Sequence, residues 1–177
     1  MTQISTEAES FFDRYAYPDW LRLHSLLVGR IAETLVAARP DVGGESRDIA
    51  LAGYLHDIGR SPLLAGDARE HNELSALILA AEGLAGSVEP ARRHAIYTVL
   101  DLATAPATLA DKIVYVADRR GGMRVEPVEV RARDTARRHP RFASDIERAI
   151  PAAKQLEHEV FASLSFRPEE LEANLIA

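Results

Sequence analysis

The 177-residue chain contains no cysteine, a single tryptophan and no apolar run long enough to span a bilayer. The missing cysteine excludes disulfides, thiolate metal ligands and a thiol nucleophile, and fits a reducing compartment. The opening stretch Met1-Thr-Gln-Ile-Ser-Thr-Glu-Ala-Glu9 lacks the basic and apolar regions of an export signal. A cytoplasmic location away from membranes is therefore expected. Basic residues are in the minority, 21 Lys and Arg against 27 Asp and Glu, for a net charge of −6. Whole-molecule electrostatics therefore do not favour nucleic acid or an anionic membrane, although a local phosphate site is untouched by that sum. No segment alternates apolar and polar residues long enough to predict a sheet. Internal repeats, low-complexity linkers and breaks in composition are also lacking, so nothing divides the chain into two domains.

What is present is helical periodicity, with enough apolar residues to bury a core without disulfides. Trp20, Leu23, Leu27, Ile31 and Leu35 recur at three- and four-residue steps and predict a helix capped by Asp19. Arg39 to Gly44 reads as a loop, after which Ser46 is expected to cap a helix whose run from Ile49 to Leu55 is apolar all round. Such a helix belongs in the middle of a bundle. Leu74, Leu77, Ile78 and Ala81 predict the next helix, stopped by Gly83 or Gly86, and Pro90 is placed in the first turn of one running to about Leu102. A strongly apolar helix from Leu109 carries Asp111 and Asp118 and ends at Gly121-Gly122, and segments 127–138, 142–164 and 168 onward complete an all-α set.

The chemistry is carried by His56 and Asp57, in Tyr-Leu-His-Asp-Ile-Gly-Arg. Neighbours on a regular helix point about 100° apart, but a doublet at a helix end, just before a glycine, can aim an imidazole and a carboxylate at one point. His24 and Asp118 supply the same pair of chemistries from two other helices. Ionisable groups set in apolar helices cost free energy unless paired or bound to metal, and one ion held between helices accounts for all four. Two nitrogens and two oxygens suit manganese, iron, cobalt, nickel or zinc better than calcium. Asp111 competes with Asp118, but the two lie about 10.5 Å apart along a helix and cannot readily share an ion. Asp111 stands in the first turn, where the helix dipole welcomes a carboxylate in any case.

His71 and His94 form a second tier, as ligands of a second ion or as an acid to a leaving group. Arg60, Arg119, Arg120 and Arg124 are candidates for binding a substrate phosphate. The run Arg131, Arg133, Arg137, Arg138 and Arg141 is interleaved with acids and predicts a solvated face, as do the polar settings of His139 and His158.

Taken together, these residues resemble the HD-domain metal-dependent phosphohydrolase superfamily. Its pattern is a histidine, a His-Asp doublet and a distant aspartate on helices of an all-α bundle. The match is His24, then His56-Asp57 in the extended His-Asp-Ile-Gly form followed by Arg60, then Asp118. The segment Asp111-Lys-Ile-Val-Tyr-Val-Ala-Asp-Arg looks like the family's final helix and supports Asp118 over Asp111. His71, in His-Asn-Glu-Leu-Ser-Ala, resembles the extra histidine of members that bind two metals, and His94 falls where such members carry another. The resemblance covers a core of about residues 18–122, with helices over 126–175 packed on it in one domain spanning 1–177. The Gly-Tyr-Pro signature of cyclic-dinucleotide phosphodiesterases and the Glu-Asp pair of guanosine tetraphosphate hydrolases are missing. Among described branches the chain is most similar to small bacterial enzymes that split dinucleoside tetraphosphates symmetrically, but Arg-Arg-Gly-Gly-Met-Arg after Asp118 departs from them.

The resemblance implies a phosphohydrolase acting on a small phosphate ester or nucleotide, with one or two divalent transition-metal ions as cofactor. In that role Asp57 also orients the attacking water. A regulatory module that keeps a metal or nucleotide without turnover is the alternative, and assembly as a homodimer is left open.

Overall fold

The middle of the molecule is a helix without a polar face. In the computed structural model, which describes residues 2–176, α3 (Ser46–Leu55) buries every residue from Ile49 to Leu55 and packs against four other helices. Those neighbours are α1 (Gln3–Arg14), α2 (Asp19–Ala37), α5 (Ala85–Arg92) and α6 (Leu109–Arg120). The remaining helices are α4 (His71–Ala81), α7 (Val128–Arg138) and α8 (Ala143–Phe161), with short 3-10 turns in several connections. Among the described residues there is no strand, only a two-residue bridge between Gly121 and Val125. The all-α architecture is as the periodicity predicts. Among the described residues no helix is long and apolar enough to cross a membrane.

Two apolar clusters share α3. One joins Val28, Ile31 and Leu35 of α2 to Ile113 and Val116 of α6 and to Phe161 of α8. The other joins Phe11 and Phe12 of α1 to Leu21, Tyr54, Leu55 and Leu79. A third lies between α7 and α8, where Ala132 and Ala136 meet Ile146 and Ile150. Fully burying a side chain such as Phe12 contributes about 1.5–3 kcal/mol, which fixes α1 firmly on the bundle.

Several local expectations are corrected. The stripe on α2 is rotated at its N-terminal end: Trp20 and Leu23 are more than half exposed, and the buried row is Leu21, His24, Ser25, Val28, Ile31. Two polar residues sit in that row, so a pattern drawn from apolar residues alone follows the wrong face. Asp19 is the first helical residue rather than the cap, and Ser46 begins α3 while its hydroxyl bonds back to Gly43 O at 2.7 Å. Pro90 lies inside the short α5, and Ile96–Leu100 is a 3-10 turn rather than a continuation of helix. The segment after Pro168 forms only 3-10 turns. α1 lies outside the helices that the periodicity predicts, and Thr2 caps it by accepting from Ser5 N.

Candidate metal centre

His24 lies on the buried face of α2, and Asp118 near the C-terminal end of α6. His56 closes α3 in helical geometry, and Asp57, at φ −102° and ψ 18°, turns out of the helix into the 3-10 turn Ile58–Arg60. That turn lets adjacent residues aim at one point. Gly59 allows the next step. A Cβ on it would stand 2.0 Å from His71 O and 2.8 Å from Ser75 N, so only glycine admits the first turn of α4 this close. Gly59 N–H donates to Ser75 Oγ at 2.9 Å, and Ser75 Oγ donates to His71 O at 2.9 Å. Asn72 ties α4 to the end of α5 by donating to Arg92 O at 2.7 Å. His71, the first residue of α4, and His94, just past α5, are thereby brought onto the doublet.

The donor atoms form two groups on opposite oxygens of Asp57. On the Oδ2 side, His24 Nε2 is 3.2 Å from His56 Nε2 and 3.4 Å from Asp118 Oδ1. Asp57 Oδ2 lies 3.7 Å from both histidine nitrogens. On the Oδ1 side, His94 Nε2 is at 3.3 Å and His71 Nε2 at 3.4 Å, with the two nitrogens 3.2 Å apart. Ligand atoms about 2.1 Å from a common ion stand roughly 3 Å apart, so both spacings suit a metal; the buried sets His24, His56, Asp118 and His56, Asp57, His94 are each compact enough to hold one.

The protonation pattern suits one too. His56 Nδ1 donates to Gly53 O at 2.8 Å and His94 Nδ1 to Ala91 O at 2.6 Å, which fixes each ring's orientation with Nε2 toward the cluster. Burial pushes the pKa of His56 down to about 4, against the pull of Asp57 and Asp118. Burial likewise takes His71 down to about 3, with Arg60 adding to the effect. Both carboxyls stay ionised. Burial opposes this, but Arg60, His56 and His94 hold Asp57 well below the usual carboxylate range, and Arg119 and His24 do the same for Asp118. Asp57 Oδ1 is buried and accepts no well-aligned hydrogen bond, although Arg60 Nε lies 2.8 Å away. Imidazole nitrogens and ionised oxygens crowded at these distances, one of the oxygens unsatisfied, fit a divalent cation.

The HD domain family matches residues 22–123, more than half of the chain. The chain belongs to the HD domain family. No curated protein and no solved structure gave a significant match. His24, His56, Asp57, His71, His94 and Asp118 all lie inside the HD segment, whereas α7, α8 and the C-terminal turns lie beyond it.

The expected phosphate-binding arginines separate. Arg60 is at the centre, pairing with Asp57 while its Nη2 lies 3.0 Å from His71 Nε2. Arg119 is buried and pairs with Asp118 Oδ2. Arg120 is corrected: it turns away to Glu157 at 3.1 Å and to Pro168 O at 2.7 Å, and so fastens the C-terminal segment to α6. Arg124 is exposed and sits by Glu126 at 3.4 Å, with no contact to the histidine cluster. The Gly121-Gly122 segment is no free hinge, since Glu126 N donates to Arg120 O and Gly122 N to Arg124 O. Asp111 closes a capping box with Thr108, away from the cluster. His139 and His158 are exposed.

Sequence reasoning missed three residues around this centre. Tyr17 has a buried hydroxyl with no hydrogen-bond partner, and burial together with the Asp57 charge raises its pKa. Nothing in its local sequence marks it. Asn72 and Ser75 left a faint signal, as polar residues one and four positions after His71 at the start of a helix that is apolar from Ala76 onward.

Proposed function

We propose that this HD domain protein is a metal-dependent phosphohydrolase that acts on a small phosphate ester, anhydride or nucleotide, with two divalent transition-metal ions at its centre. His24, His56, Asp118 and Asp57 Oδ2 would hold one ion; His71, His94 and Asp57 Oδ1 the other. The observation that carries this reading is the convergence of four imidazole nitrogens on the two oxygens of one buried carboxylate. Ions bound there supply a lowered pKa for a coordinated water and polarisation of a phosphoryl oxygen.

The chain's own groups do the rest. The backbone carbonyls of Gly53 and Ala91 keep His56 and His94 in one tautomer, and the closed α3–α4 junction keeps His71 against Asp57. Arg60, with 42% of its side chain exposed, can turn from Asp57 to a substrate phosphate and offset its charge. Asp57 orients the water. In the reaction the water oxygen bonds to phosphorus, the bond from phosphorus to the leaving oxygen breaks, and that oxygen takes up a proton.

The test is a screen of phosphomonoesters, phosphodiesters and phosphoanhydrides with protein reloaded with manganese, iron, cobalt, nickel or zinc. Turnover that needs metal and disappears in His56→Ala and Asp57→Ala, with helical content retained, is expected. Stoichiometric metal with no hydrolysis of any class would replace this reading with a binding module.

A further inference from the structure

The arginine run on α7 does not behave as one solvated face. Arg133, Arg137 and Arg138 are exposed and pair with Glu147 or Asp134, and Arg141 lies over the Phe142 ring. Arg131 differs. Its side chain is half-buried, its Nε is buried without a hydrogen-bond partner, and among the described residues it forms no ion pair. The stem passes over Gly122: a Cβ built there would stand 3.3 Å from Arg131 Cδ and 3.5 Å from its Nε. The side chain therefore runs across the end of α6, where Asp118 and Arg119 lie.

Arg119 has the same deficit. One of its nitrogens pairs with Asp118, but its Nε is buried and unpartnered. The two charges that act most on Arg131 are Asp118, which attracts it, and Arg119, which repels it. Asp118 is already engaged by Arg119 on one oxygen and faces His24 and His56 with the other. Glu126, the other acid bordering Gly122, brings Oε1 within 3.4 Å of Arg124 Nε and attracts Arg131 more weakly than Asp118 does. Arg131 thus sits half-buried with no ion pair of its own and with a second guanidinium acting on it, an arrangement that is costly unless an anion joins the two. Phosphate oxygens are the ligands that guanidinium donors match best.

We propose that Arg131, with Arg119, forms an anion subsite next to the metal centre that receives a second phosphoryl group of the substrate. The proposal rests on the phosphohydrolase reading for the word substrate, but not for the site. It narrows the substrate class to molecules with two or more linked phosphoryl groups, one at the metal centre and the next between the two arginines. It also gives α7, which lies outside the HD segment, a part in specificity that the HD residues themselves do not supply.

The test compares pyrophosphate with orthophosphate by calorimetric titration of the full chain, with metal removed by chelation and again after reloading. Pyrophosphate is expected to bind more tightly than orthophosphate in both states. Arg131→Gln should weaken pyrophosphate by about 10- to 100-fold, the range for losing a hydrogen bond to a charged group, and leave orthophosphate on reloaded protein little changed. Arg131→Lys, which keeps the charge, should fall between. Circular dichroism and unfolding midpoints confirm that each variant is folded. Equal binding of the two anions by the wild type, or unchanged pyrophosphate binding in Arg131→Gln, overturns the subsite. Arg131-dependent binding without turnover of any phosphate compound would keep the subsite and refute the hydrolase.

Discussion

Gly59→Ala should disable half of the centre without touching a ligand. The added Cβ would lie 2.0 Å from His71 O, 2.8 Å from Ser75 N and 2.9 Å from Leu74 Cβ, two of them backbone atoms that no rotamer change can move. Real contacts of this kind stay at 3.0 Å or beyond, so the first turn of α4 must retreat by at least about 1 Å. His71 rides on that turn. Its Nε2 sits 3.4 Å from Asp57 Oδ1 and 3.2 Å from His94 Nε2, separations that suit a shared ion and that such a retreat would open. Overpacking of this size costs about 1–3 kcal/mol in stability, and a 1 Å displacement of a reacting group costs about 100-fold in rate. Urea unfolding, metal content and turnover would be measured together. The expectation is a folded protein that holds one ion in place of two and turns over roughly 100-fold more slowly. Gly44→Ala is the control, since nothing lies within 4 Å of its Cβ. If Gly59→Ala keeps both ions and activity within about twofold, the α3–α4 junction does not position His71 and the reasoning fails.

Three further outcomes follow from the same geometry. Arg120→Met should lose about 3 kcal/mol of stability, because it removes a buried ion pair with Glu157 and the bond to Pro168 O, yet leave KM unchanged; a raised KM would return Arg120 to the substrate site. Chelated protein should lose stability as the pH falls from 7 toward 4. The His56 pKa is about 4 in the fold against 6.5 when unfolded, so the unfolded chain binds the extra proton across that window, at a cost of about 3 kcal/mol. A flat denaturation midpoint over that range, followed by fluorescence of Trp20, would contradict it. His71→Ala and His94→Ala should each lower bound metal from two equivalents to one, whereas loss of both ions would mean a single shared site.

How much of this was legible depended on whether a residue's role is local. His24, His56, Asp57 and Asp118 stood out because ionisable groups in apolar helices require an explanation that surface residues do not. α3 stood out because nothing polar interrupts it from Ile49 to Leu55. The α2 stripe was misplaced for the converse reason, since His24 and Ser25 occupy its buried row. Arg119 and Arg120 are adjacent and chemically identical, but neighbours on a helix diverge by about 100°. One therefore meets Asp118 and the other Glu157, a partner 37 positions away that no local pattern reveals. Gly59 was legible as a glycine after the doublet, but its reason was not: it ends no helix in a left-handed turn and instead makes room for the backbone of α4. Arg131 read as one of five similar arginines, and only its burial and lack of a partner set it apart.

The central claim is that Asp57 and the five side chains around it hold metal, and elemental analysis of the purified full chain tests it most directly. Wild type reloaded with manganese, iron, cobalt, nickel or zinc and freed of excess ion should retain close to two equivalents of one transition metal. His56→Ala, folded by circular dichroism, should lose the ion held with His24 and Asp118. Wild-type protein that retains no metal after reloading with each of the five would contradict the account and leave the cluster a buried polar junction between helices.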